Sequence, residues 1–225
     1  MRGHESTWQG AVMLASLMKR LHQPIYASRL RALVPLMTAH LRENDQVLDV
    51  GCGGGSLGKA IMESPSCPAR VTVTGLEVEK RDGEQFIPVI DYDGGDFPFP
   101  ESAFDVVILA DVLHHAEEPH RLIDESLRVA RRGLLIKDHK IDGPLAYPRL
   151  ALIDWAANAP CDVACLYRYN AGEQWAEWYE RHDLVVEHEL RALRLYPPIV
   201  NLLFGGRLQY FAYTRRRVQT TETDA

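Results

Sequence analysis

Long apolar runs are missing from this chain of 225 residues. No stretch approaches the roughly 20 residues that a membrane-crossing helix needs. Met1 to Gln23 carries His4, Glu5, Lys19 and Arg20 where a secretory leader would need an apolar core. Cysteine is scarce, with only Cys52, Cys67, Cys161 and Cys165. Cys161 and Cys165 make a lone spaced pair with no second pair to close a zinc site, so no metal is expected on that ground. Reduced thiols in the cytoplasm are the simpler reading. An excess of basic charge is also lacking: the formal charge is −6 and the pI about 5.8. That disfavours a phosphate backbone as partner. Arg215-Arg216-Arg217 is the one strong basic cluster, and near the terminus it reads as a solvated strand end. The expectation is a soluble cytoplasmic protein with no membrane span and no nucleic-acid partner, its oligomeric state open.

What is present is ordinary core material, 46% hydrophobic and 25% charged, enough for one large domain. The chain is organised around Gln46-Val47-Leu48-Asp49-Val50-Gly51-Cys52-Gly53-Gly54-Gly55-Ser56-Leu57-Gly58. A short apolar run holding one acid reads as a buried strand. It stops at a glycine cluster, and a weakly amphipathic run follows. Strand, glycine turn and helix open an α/β nucleotide-binding sheet. The glycines permit positive φ and let a ligand lie on bare backbone.

Two registers of the loop compete. Gly53-x-Gly55-x-x-Gly58 fits the dinucleotide fingerprint, a weak signal alone. Asp49-x-Gly51-x-Gly53-x-Gly55 resembles motif I of the class I S-adenosylmethionine (SAM)-dependent methyltransferases. A pyrophosphate near Asp49 would be repelled, whereas the ammonium and sulfonium of SAM would be attracted. A magnesium-phosphate loop fails because Ala60 follows Gly58-Lys59 with no hydroxyl.

Further residues carry the same resemblance. Ala69 to Val78 is a β-branched second strand ending at Glu77, placed for ribose hydroxyls. Phe86 to Ile90 is the expected third strand. Asp93 falls where the family keeps an acid for the adenine amine, with Gly94 beside it; Asp91 takes that place if the register slips. Phe104 to Ala110 reads as strand four and ends in Asp111-Val112-Leu113-His114-His115. The resemblance implies that Asp49, Gly51, Cys52, Gly53, Glu77, Asp93, Gly94, Asp111 and Leu113 hold SAM.

Trp8 to His40 reads as a helical cover in two pieces split by Pro24, and residues 1–45 are expected to fold over the ligand edge as part of one domain. Residues 46–217 make the cofactor domain, and 218–225 a frayed tail. Gly133 to Lys137 is strand five, running on to Asp138-His139-Lys140. An insertion at about 140–170 is crowded with polar and aromatic residues and reads as acceptor pocket. Its Asp154 and Asn158 lie one helical turn apart. Expected acceptor residues are Tyr26, Arg29, His114, Asp154, Asn158, Tyr167 and Tyr169; each has an ordinary packing or surface role as its alternative. His139, with His115 second, is placed to take an acceptor proton. Leu184 to Leu195 and Arg207 to Thr214 read as a terminal antiparallel pair joined without a helix.

The resemblance therefore implies a Rossmann-like α/β fold: a seven-stranded mixed sheet, order 3-2-1-4-5-7-6, last strand antiparallel, helices on both faces. It implies methyl transfer from SAM to a small organic acceptor, aromatic or lipid-like given the aromatics near the cleft. An NAD(P)-dependent oxidoreductase and a non-catalytic SAM-binding protein remain as alternatives.

Overall fold

A computed structural model describes residues 23–78, 84–158 and 165–217. The expected helix before Gln23, Cys161 and the tail at 218–225 lie outside them. Helix α1 runs over residues 23–38. The elements that follow are β1 (Gln46–Val50), α2 (Ser56–Met62), β2 (Thr72–Glu77), β3 (Val89–Asp91), β4 (Phe104–Ala110), α3 (Pro119–Val129), β5 (Ala130–Ile141), α4 (Ala146–Asn158), the two-residue β6 (Asn170–Ala171), α5 (Gly172–Arg181), β7 (Leu184–Leu190), α6 (Pro198–Phe204) and β8 (Gln209–Arg216).

The sheet order is β3-β2-β1-β4-β5-β8-β7, with β6 beside β5. Strands β1 to β5 are parallel, and β8 is antiparallel to both β5 and β7. This is the expected order with the last two strands renumbered by the short β6. Alternation divides the core into two layers. Leu48, Val107, Leu109, Leu134 and Ile136 meet Ile123 and Leu127 of α3 and Trp175 and Tyr179 of α5. Val47, Val73, Val106, Ile108 and Leu135 meet Leu33, Val34 and Met37 of α1 and Leu57 and Ile61 of α2. The central strands are apolar on both sides because helices cover both faces.

Two expectations change. The β7–β8 connection contains α6, and Pro198 sits in its first turn, where a missing N–H costs nothing. Strand β7 ends at Leu190; Leu193 makes only an isolated antiparallel bridge to Gly206. The basic end of β8 is partly neutralised, as Arg215 pairs with Glu187 and Arg217 lies 3.5 Å from Asp183. Among the described residues no helix is long and apolar enough to cross a membrane.

Candidate functional site

The chain leaves β1 through a glycine turn. Gly51, Gly53 and Gly55 take φ values of +67°, +57° and +78°, which glycine adopts at little cost. Space adds to this at Gly51, where a Cβ would stand 2.6 Å from Val112 Cγ2. The Gly51 N–H donates to the Leu76 carbonyl at 2.8 Å, and the Gly53 N–H to Glu77 Oε2 at 2.6 Å. Loop and β2 tip are thereby fastened together, with Cys52 between the two bonds. Asp91 pairs in register with Glu77 inside β3. Asp93 and Gly94 follow in the turn beyond it; Asp93 Oδ1 accepts the Gly95 N–H at 2.9 Å, and Gly94 has φ +83°.

Asp49 is only 2% exposed, and its Oδ2 has no hydrogen-bond partner among the described residues. Burial pushes its carboxyl up to about 7; Arg29 opposes the shift and Glu77 adds to it. A buried acid with an idle oxygen, beside a glycine turn and a strand-tip acid, fits a cofactor with a cationic amino-acid tail and repels a diphosphate.

At the end of β4, Asp111 turns out of the strand with φ +57°. Its carboxylate accepts from Arg29 Nη2 at 2.7 Å and from the wholly buried Lys137 of β5. Burial alone would raise the Asp111 carboxyl, but Lys137 and Arg29 hold it well below the usual range. Lys137 was not among the expected site residues. A lysine following Leu134-Leu135-Ile136 was the available signal, since a buried lysine needs a partner.

Beyond Asp111 lies a polar cluster under α4 and the segment leading to β6. His114, in the 3-10 turn Leu113–His115, donates its Nδ1–H to Asp138 Oδ1 at 2.6 Å. Its Nε2 lies 3.7 Å from Asp154 Oδ1, and His115 Nε2 lies 3.3 Å from the same oxygen. Tyr169 donates to Asp154 Oδ2 at 2.7 Å, and Asn158 Nδ2 donates to Asp154 Oδ1 at 2.7 Å. Burial disfavours charge on His114, yet Asp138 and Asp154 outweigh it and raise the imidazole to about 10. His139 goes the other way: burial and then Lys137 lower it to about 3, and its Nδ1 has no partner among the described residues. His139 is therefore a neutral ring, too weakly basic to hold a proton near neutrality.

The structure thus assembles Arg29, Asp111, His114, His115, His139, Asp154, Asn158 and Tyr169 around the ends of β4 and β5. Arg29 spends its charge on Asp111, while Tyr26 stands at the surface with the Arg29 guanidinium 5.7 Å from its ring. Leu113 is buried in the α3-side core, and Tyr167 packs partly buried beside Tyr169 and Leu150. Asp138, which the sequence places with His139 in the region for acceptor chemistry, is the acid that holds His114. The absence of a zinc pattern among the cysteines does not reach these histidines.

A doubly wound sheet with a glycine turn after β1 and an acid at the β2 tip defines a Rossmann-like cofactor domain. Residues 48–136 match the sequence model of a family described as "Methyltransferase domain". The 27-O-demethylrifamycin SV methyltransferase of Amycolatopsis mediterranei is 29% identical over 117 residues, covering 47% of this chain and 40% of that protein. The phosphatidylethanolamine N-methyltransferase of Cereibacter sphaeroides is 30% identical over 123 residues, covering 48% of this chain and 58% of the other. This chain thus spans about half the length of the curated relatives it matches. A SAM-dependent methyltransferase from Aquifex aeolicus shares the fold, with TM-score 0.55 and 20% identity over 89% of this chain and 97% of that one. Over residues 48–136 the chain is thus similar to that methyltransferase family, and its sheet has the fold of a SAM-dependent methyltransferase.

Proposed function

We propose that the protein moves the methyl group of SAM to a small organic acceptor held over the carboxyl ends of β4 and β5. The observation that carries this reading is the His114–Asp154–Tyr169 cluster: polar side chains buried together beside the cofactor edge, where a doubly wound sheet presents its ligands. Asp49 would receive the ammonium of SAM, Gly51, Cys52 and Gly53 its backbone contacts, Glu77 the ribose, Asp93 and Gly94 the adenine. Asp111 and Leu113 would border the methionine arm.

SAM supplies an electrophilic methyl carbon, and charge disperses as a sulfonium reacts with a neutral or anionic atom. Holding acceptor and methyl in line then provides most of the acceleration. Tyr26, Asp154, Asn158, Tyr167 and Tyr169 would shape the acceptor's seat, with Arg29 fixing its border through Asp111. His114 would contribute a fixed polar edge. An oxygen or nitrogen acceptor must also lose a proton. His115, with 16% of its side chain exposed against 7% for His139, is the more accessible of the two and takes that proton in this reading.

The test is a methylation assay with labelled SAM and fractionated metabolite extract. Label is expected in a small-molecule fraction, and Asp49→Asn is expected to abolish it. Label only in macromolecules, or NAD binding without S-adenosylhomocysteine binding, would overturn the reading.

A further inference from the structure

Two groups of side chains in the cluster bring three metal-ligating atoms within 4.8 Å of one another: Asp111, His114 and His139, and His114, His115 and Asp154. The first is unfavourable to a cation, because Arg29 and Lys137 already lie on the Asp111 carboxylate. In the second, among the described residues no lysine or arginine is paired with Asp154, whose Oδ1 accepts from Asn158 Nδ2, and the distances are informative. His114 Nε2 and His115 Nε2 stand 3.7 and 3.3 Å from Asp154 Oδ1. The longer gap is too wide for a hydrogen bond. Ligands at about 2.1 Å from a tetrahedral ion lie about 3.4 Å apart, and the two gaps bracket that value.

The outer groups are independent of these gaps. Asp138 Oδ1 holds the opposite nitrogen of His114 at 2.6 Å, which leaves Nε2 directed toward Asp154. A carboxylate behind a ligating imidazole is the usual support of a metal-bound histidine. Tyr169 fixes the other oxygen of Asp154. Asn158 Nδ2 now lies between Asp154 Oδ1 and His115 Nε2, at 2.7 and 3.3 Å; rotation of its amide would present an oxygen instead.

We propose that His114 Nε2, His115 Nε2 and Asp154 Oδ1 bind a divalent first-row transition-metal ion, which displaces to solvent the Nε2 proton that His114 carries in the empty site. Two imidazoles and one carboxylate suit zinc, iron(II) or nickel better than magnesium or calcium. His115 is partly exposed, so the site is not sealed from solvent. With His115 Nε2 on the ion, the acceptor's proton would pass to water and not to His115, and an oxygen or nitrogen bound to the metal would release it more readily. That role rests on the methyl-transfer reading; the binding of metal does not.

The experiment uses the untagged full chain, stripped with chelator and dialysed against zinc and cobalt(II), with metal measured by plasma mass spectrometry. S-Adenosylhomocysteine binding is measured on the same samples. One ion per chain is expected, with a cobalt visible spectrum of low-coordinate nitrogen and oxygen ligation. His115→Ala and Asp154→Asn should each weaken binding at least 100-fold, and His115→Ala, at the most exposed of the three positions, should keep its S-adenosylhomocysteine affinity. Failure to bind stoichiometric metal, or equal binding by wild type and both variants, overturns the proposal. Retained metal with no S-adenosylhomocysteine binding supports the metal site and removes the methyl-transfer reading instead.

Discussion

Arg29 of α1 reaches Asp111 at the tip of β4, Nη2 to Oδ2 at 2.7 Å, across 82 residues of sequence. This ion pair ties the leading helix to the strand end that borders the proposed acceptor site. Arg29 and Asp111 have 13% and 22% of their side chains exposed, so both lose most of their hydration. Removing one member of such a pair leaves the other charge poorly compensated. Arg29→Met is expected to cost about 2–4 kcal/mol, softened because Lys137 still meets Asp111. For a domain of this size that is a fall of about 5–15 °C in Tm, measured by thermal denaturation followed by circular dichroism.

The proposed contact of Asp49 with the cofactor's ammonium makes binding pH-dependent in a definite direction. The folded-state carboxyl of Asp49 is pushed up to about 7 by burial, with Arg29 opposing and Glu77 assisting. A raised carboxyl favours the folded state at low pH, and that contribution is lost as pH rises from the ordinary carboxylate range through about 7. An ammonium ligand prefers the ionised acid, so binding must remove the proton when pH is below about 7. SAM affinity should then fall about tenfold for each pH unit below that point. Calorimetry in buffers of different ionisation enthalpy should show proton release there. Asp49→Asn should bind weakly, with this component of the pH dependence gone.

The parts of the fold that could be read from sequence are those whose burial leaves a local mark. Strands β1 and β4 are short apolar runs because helices cover both their faces, and Asp49 stands out as the acid buried within β1. Helix α6 has no inward stripe: Ile199 and Leu202 are 79% and 78% exposed. Its Pro197-Pro198 start therefore reads as a break. The glycine turn could be found because positive φ demands a residue type at fixed spacing. The contacts that build the proposed acceptor side leave no such spacing. Asp138 meets His114 from 24 residues away, and Lys137 meets Asp111 from 26. Only the parallel pairing of β4 and β5 brings their ends together.

Two glycines separate backbone strain from crowding. Gly143 has φ +94° with nothing within 4 Å of a built Cβ, whereas Gly51 has φ +67° with Val112 Cγ2 at 2.6 Å. Gly143→Ala should cost only the left-handed strain, about 1–2 kcal/mol, and leave SAM binding unchanged. Gly51→Ala carries a similar strain and must also displace Val112 or the loop. It is expected to cost about 3 kcal/mol or more and to weaken SAM binding at least tenfold. Denaturant unfolding paired with S-adenosylhomocysteine titration of both variants checks the contrast.

Tyr169→Phe separates the acceptor side from the cofactor side. The Tyr169 hydroxyl donates to Asp154 Oδ2 at 2.7 Å, and burial and then Asp154 push the phenol above its usual range, so the proton stays on tyrosine. Deleting the hydroxyl leaves an ionised oxygen of a residue only 3% exposed without that donor. The expected cost is about 1–3 kcal/mol, felt as a turn of the Asp154 carboxylate rather than as loss of the fold. Because Tyr169 lies on the segment leading to β6, away from the glycine turn, S-adenosylhomocysteine affinity should match wild type. Turnover of the methyl acceptor should fall about 10–100-fold, the range for removing one buried hydrogen bond that positions a working group. Steady-state kinetics that vary acceptor and SAM separately decide the matter. A fall confined to the SAM dependence would place Tyr169 with the cofactor, and an unchanged rate would remove Asp154 from the working site.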